Sequence, residues 1–242
     1  MSSLLSLRHV SKSYWRDPNE TVVLADVSLD VHGGEVVAIW GQRGSGKTTL
    51  ATIAAGIDVP DHGVVLFEGR DLNESRSGLA YALHEGIGWL ERMGPGDDLP
   101  IIDYVALPLF RKHSPRYARR HAVAALARVG IAECATERWE TLSDGERTLV
   151  TIAHALVRSP RLLIADTPTA NLDLFQREEV MGLLRSAADE DNLGVLITVP
   201  DMPEAAHADQ IGSLSAGELL LVRDRDEPGT NVVDFPASKR SA

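Results

Sequence analysis

Glu35-Val36-Val37-Ala38-Ile39-Trp40-Gly41-Gln42-Arg43-Gly44-Ser45-Gly46-Lys47-Thr48-Thr49 decides the fold. Its first six residues form a short apolar run bounded by the Gly33-Gly34 turn signal, which reads as a buried strand. The next eight fit G-x-x-x-x-G-K-[ST], and helix-forming residues follow from Lys47 to Ala55. Strand, glycine-rich loop and helix in that order make a phosphate cradle. The glycines let the backbone curl so that successive N–H groups point inward, and the helix N-terminus adds positive potential. Lys47 is placed to reach the terminal phosphates, and Thr48 to offer its hydroxyl to Mg²⁺. ATP and Mg²⁺ are the ligands this loop implies, with Gly41, Arg43, Gly44, Ser45, Gly46, Lys47, Thr48 and Thr49 as the binding residues.

Outward from the loop, Leu162–Ala165 and Val195–Val199 are two more short apolar runs, each preceded by a helical stretch. Such alternation predicts an α/β core with a mostly parallel sheet. Before the loop the pattern differs. Leu5, Leu7 and Val10 sit among polar residues, Asp17-Pro18-Asn19 is a turn signal, and Val23, Ala25, Val27, Leu29 and Val31 alternate onto one face. This predicts an N-terminal antiparallel β subdomain. The middle reads as a helical subdomain inserted at about residues 73–158, with helices near Ser77–His84, Ile102–Phe110 and Pro115–Val129. The predicted domain spans residues 1–222, and residues 223–242 read as a loose polar tail.

The chain has 242 residues and a formal net charge of -11, which argues against a general nucleic-acid binder. A single cysteine, Cys134, excludes an internal disulfide and fits a reducing compartment. The N-terminus has no signal-peptide pattern, and no run approaches the ~18 apolar residues of a spanning helix. Arg111, Lys112, Arg116, Arg119 and Arg120 cluster on the predicted middle helices, as a solvated face or a docking surface.

Three later segments carry a family resemblance. Leu142-Ser143-Asp144-Gly145-Glu146 resembles the LSGGQ signature of ABC ATPases. Leu162 to Asp173 resembles their Walker B strand and D-loop, and Val195 to Asp201 resembles the strand that ends in the switch histidine. With the phosphate loop, the chain from about residue 4 to 222 is similar to the ATP-binding subunit of an ABC transporter. Asn171-Leu172-Asp173 and Asp103–Leu109 resemble the lipoprotein-release, macrolide-export and cell-division branch. The resemblance implies that Tyr14 stacks on adenine and that Asp166 holds Mg²⁺ through water. It also implies that Ser143, Asp144, Gly145 and Glu146 face the ATP of an opposite subunit. Ser143 would in any case be favoured as a helix N-cap. Asn171 and Asp173 match the D-loop, or a turn followed by a helix start.

The departures are as informative. Where the family has a glutamate that polarises the attacking water, this chain has Thr167; where it has the switch histidine, Pro200. The Q-loop glutamine falls on Glu91 or Arg92, and Glu91 is a further candidate Mg²⁺ ligand. Asp144 replaces the first signature glycine. The implied partners are transmembrane permease subunits and a second ABC cassette, as homodimer or heterodimer. The implied location is cytoplasmic, peripheral on the inner membrane face. The alternative is an ATP-sensing regulatory subunit that does not hydrolyse.

Overall fold

A computed structural model of the chain describes residues 3–16, 19–73, 86–90, 94–95 and 99–223. The helix expected at Ser77–His84, the Glu91 and Arg92 positions, and residues 224–242 lie outside the described residues.

Two sheets organise the molecule. The first is antiparallel, of four strands in the order β2-β1-β4-β5, built from β1 (Leu5–Arg16), β2 (Asn19–Val31), β4 (His62–Phe67) and β5 (Arg70–Asp71). The second has six strands in the order β10-β9-β3-β8-β7-β6. Its parallel part comprises β3 (Val36–Trp40), β6 (Ile87–Leu90), β7 (Leu162–Asp166), β8 (Gly194–Val199) and β9 (Gln210–Ser215); β10 (Glu218–Arg223) closes the edge antiparallel to β9.

β7 and β8 are buried along their whole length, as strands covered on both faces must be. One face carries α1 (Lys47–Ala54), whose Leu50, Ala51, Ile53 and Ala54 are buried in a core shared with the antiparallel sheet. The other face joins the core of the helical elements: α2 (Ile101–Ala106), α3 (Pro115–Arg128), α4 (Asp144–Leu156) and α5 (Leu174–Asp191).

The expected alternation in β2 fails at one point. Leu24, rather than Val23 and Ala25, is buried with Val27, Leu29 and Val31. The register against β1 shifts between Val10↔Val27 and Lys12↔Leu24, and Asp26 takes a positive φ of 56°. A bulge there inserts an extra residue and switches faces. The helix expected over Ile102–Phe110 is shorter: α2 ends at Ala106 and continues as a 3₁₀ turn, Leu107–Leu109, around Pro108. No helix among the described residues is long and apolar enough to cross a membrane.

Candidate functional site

The site forms where the parallel strands end. Trp40 pairs with Val199 and Asp166 with Thr198, so the C-terminal ends of β3, β7 and β8 lie side by side. The loop Gly41–Gly46, Asp166-Thr167 and Pro200 all leave from this edge, where ligands bind in open α/β sheets.

The loop packs too closely on its neighbours for a side chain at two of its glycines. A Cβ on Gly41 would lie 2.4 Å from the Leu214 carbonyl oxygen and 2.5 Å from Ser45 Oγ. Gly46 sits at φ 104°, and a Cβ there would meet the Val23 carbonyl oxygen at 2.7 Å. Gly44 also has a positive φ, 85°, and faces open space. Ser45 Oγ is buried and has no hydrogen-bond partner among the described residues. α1 begins at Lys47 with no side-chain cap, so its first N–H groups stay available. These features fit a bound triphosphate. Lys47 Nζ donates to the carbonyls of Gly41 (2.5 Å) and Gln42 (3.1 Å), which folds it back over the loop. Burial holds its pKa below the ordinary lysine value, and the charge of Asp166 opposes that shift.

Thr48 Oγ1 donates to Asp166 Oδ2 at 2.7 Å, and Thr198 Oγ1 donates to Asp166 Oδ1 at 2.6 Å. Hydroxyl and carboxylate oxygens are the donors Mg²⁺ prefers, with phosphate and water oxygens completing its shell. Among the described residues no group of three or more His, Cys, Asp or Glu forms an all-protein metal site. The Thr48 hydroxyl and the Asp166 carboxylate are oxygen donors of the kind Mg²⁺ takes.

Thr167 occupies a left-handed conformation, φ 45°, which is costly for a β-branched residue. Its N–H donates to Thr198, to Oγ1 at 2.9 Å and to the carbonyl at 3.1 Å. It borders a cavity of about 400 Å³ shared with Trp139, Asp144, Arg147 and Asn171. Pro200 is exposed in the bend just after β8 and offers neither an N–H nor a polar side chain.

Tyr14, half exposed on β1, donates its hydroxyl to Asp58 Oδ2 at 2.8 Å. Burial, then the hydrogen bond to Asp58, raises its pKa. Arg43 is exposed on the loop.

The signature segment opens α4. Ser143 caps it, accepting from the Glu146 N–H at 3.3 Å while the Glu146 carboxylate accepts from the Ser143 N–H at 2.8 Å. Bonds from the Ser143 side chain and N–H lower the Glu146 pKa. Asp144 turns its carboxylate to Arg147, 3.5 Å away, so its charge has a cation beside it. Asp173 caps α5 through a second capping box with Gln176. Gln176 packs on the signature: a Cβ on Gly145 would lie 2.7 Å from its Nε2.

Sequence reasoning missed the buried network behind these loops. Glu204, only 6% exposed, accepts from Thr169 Oγ1 and from Arg177 Nη1, both at 2.5 Å. Arg177 also donates to the Leu172 carbonyl at 2.8 Å and lies 3.7 Å from Asp201. It ties the Walker B exit, the D-loop and the turn after Pro200 together. Thr198 was also missed; a lone hydroxyl within an apolar strand run was the available signal.

Fold and site together define a P-loop nucleotide-binding protein of the cassette type. Residues 24–170 match the family described as ABC transporter, and the chain belongs to that family as an ATP-binding subunit. It is 35% identical over 226 residues to a lipoprotein-releasing system ATP-binding protein, LolD, of Pseudomonas syringae pv. tomato, covering 90% of this chain and 97% of that one. The LolD of Shewanella oneidensis is 36% identical, covering 90% of this chain and 96% of that one. Among solved structures, a dimeric bacterial ABC transporter cassette superposes with a TM-score of 0.82 at 29% identity, covering 89% of this chain and 96% of that one. A dimeric post-hydrolysis cassette bound to ADP and Pi gives 0.80 at the same identity, with the same coverage.

Proposed function

We propose that this chain binds Mg·ATP, pairs head to tail with a second cassette, and moves or regulates transmembrane permease subunits, with hydrolysis at its own cradle strongly impaired. One observation carries the reading. The holding groups, Gly41–Thr48 with Asp166, keep a geometry fitted to phosphate and Mg²⁺, while the two positions beside them hold Thr167 and Pro200.

The loop N–H groups and Lys47 bind the phosphates, and Thr48 with Asp166 holds Mg²⁺, which supplies charge neutralisation when bound. Tyr14 offers its ring to the base. Ser143 and Gly145 complete the cradle of the opposite cassette. The Thr167 hydroxyl cannot accept a proton from water near neutral pH, and loss of a general base costs ~10²–10⁴ in rate. Pro200 removes a donor aimed at the terminal phosphate, a loss of ~10²–10³. The two need not multiply, because such groups act as a unit.

The relatives are named for a lipoprotein-releasing system, which supports a membrane complex of that kind as the proposed partner; in this proposal the chain sits peripheral on the cytoplasmic side. Paired with a cassette that has both catalytic groups, the chain serves as the loaded clamp of an asymmetric motor. Paired with itself it becomes an ATP-sensing subunit, a reading favoured by the loss of both groups. Residues 1–222 act as the ATP-binding unit, with the helices between β6 and β7 as its signature-bearing part.

The test is the identity of the bound nucleotide. After equilibration with Mg·ATP and rapid desalting, the full chain should retain ATP with little ADP, and Lys47→Ala should retain none. Retention of ADP alone, or no retention by the parent, would defeat the reading.

A further inference from the structure

The segment that follows α1 is fastened to β1 along its length. The Asp61 N–H donates to the Ser11 carbonyl at 2.9 Å, and the Asp61 carboxylate accepts from the Ser13 N–H at 2.7 Å. Asp58, earlier in the same segment, meets two side chains of β1 at once. Its Oδ2 accepts from the Tyr14 hydroxyl at 2.8 Å and its Oδ1 from Lys12 Nζ at 3.2 Å. Lys12 and Tyr14 stand two residues apart, the spacing that puts strand side chains on one face. Lys12 is braced in turn: its Nζ donates to the Val59 carbonyl at 2.6 Å and lies 5.4 Å from the centre of the Tyr14 ring. Burial alone would raise the Asp58 pKa, but the bonds from Tyr14, the Val59 N–H and Lys12 outweigh it and hold it below the ordinary value, so the carboxylate is charged at neutral pH. The segment is also tied to the helix that opens the cradle, because the Asp58 N–H donates to the Thr52 carbonyl of α1 at 3.2 Å.

We infer that Asp58, braced by Lys12, is a positioning residue for the nucleotide base: it holds the Tyr14 ring as a preset platform at a fixed distance from the phosphate cradle. The inference rests on the reading above that Tyr14 offers its ring to the base. The ring is 40% exposed while its hydroxyl is tethered, so a face stays open and the rotamer is set. An untethered tyrosine samples several rotamers and loses that freedom when a base stacks on it; a ring already pinned loses less, and the difference appears as affinity. The tether also links the two halves of the site. Its far end hangs from α1, whose first residue is Lys47, so platform and phosphate loop share one frame. Asp58 touches neither base nor phosphate in this role and acts through Tyr14 alone.

The experiment is isothermal titration of the full chain with Mg·ATP and with Mg·tripolyphosphate, which has the phosphates and no base. The proteins are the parent, Tyr14→Phe, Asp58→Ala, the double variant and Tyr14→Ala. Tyr14→Phe keeps the ring and removes only the tethered hydroxyl. Tyr14→Phe and Asp58→Ala should each raise the Mg·ATP dissociation constant by about 3–10-fold, the cost of immobilising one side chain, and leave that of tripolyphosphate where it was. The double variant should be no weaker than the weaker single one, because both changes cut the same tether. Parent-like Mg·ATP affinity in Tyr14→Phe would overturn the inference, and that variant decides alone if Asp58→Ala does not fold. Equal weakening of both ligands in Asp58→Ala would overturn it as well, since that marks general damage to the cradle. So would losses that add in the double variant. Tyr14→Ala tests the underlying reading separately: if it binds Mg·ATP and tripolyphosphate in the parent's ratio, Tyr14 is no base platform, and the inference falls with that reading.

Discussion

Glu204→Ala should destabilise the protein by about 3 kcal/mol. The carboxylate is 6% exposed and holds two bonds of 2.5 Å, one from Arg177 and one from Thr169, which is itself fully buried. Deleting one partner of a buried ion pair costs about 3–5 kcal/mol, because the other charge is left without compensation. Two features place this case at the low end. The Arg177 side chain is 24% exposed, and Asp201 remains 3.7 Å from it. Urea unfolding followed by far-ultraviolet circular dichroism is the assay; with a slope of about 2 kcal/mol per M, the midpoint should fall by about 1–2 M at constant slope. Glu204→Gln, which keeps an acceptor for Thr169, should lose less. A midpoint for Glu204→Ala within experimental error of the parent would refute the reasoning, since it would mean the network ties nothing together.

Gly41→Ala should abolish Mg·ATP binding and lower the melting temperature, because the new methyl meets the Leu214 carbonyl at 2.4 Å and Ser45 Oγ at 2.5 Å; isothermal titration and thermal melts check both. His154 stacks on Tyr104 at 4.5 Å, and burial, then the charge of Arg158, lowers its pKa from 6.5 to about 4. The folded state therefore binds this proton more weakly than the unfolded chain. Stability should be full above pH 6.5, fall as pH drops towards 4, and lose no more from this group below that. The loss amounts to about 3 kcal/mol as an upper figure. Stability measured against pH should show that slope in the parent and lose it in His154→Phe.

What could be read in the sequence was what local chemistry dictates. The glycines, Lys47 and Thr48 specify a cradle by spacing alone, and the Ser143 and Asp173 caps follow from residue type and the Glu or Gln three positions on. What escaped depends on distant partners. Glu204 meets Thr169 from 35 residues away and Arg177 from 27, and nothing in their neighbourhood signals the encounter. The bulge at Asp26 is set by pairing between β1 and β2, so strict alternation put Val23 and Ala25 on the wrong face. The β9–β10 hairpin went unread, although the Ala216-Gly217 turn between two apolar segments was visible.

The central claim is that the triphosphate is held while the groups that activate water are missing. Single-turnover hydrolysis of radiolabelled ATP, parent against Thr167→Glu/Pro200→His in the assembled complex, tests it most directly. Restoring both groups should raise the rate at this chain's own cradle by about 10²-fold or more. A parent that already cleaves ATP there as fast as the restored variant would contradict it.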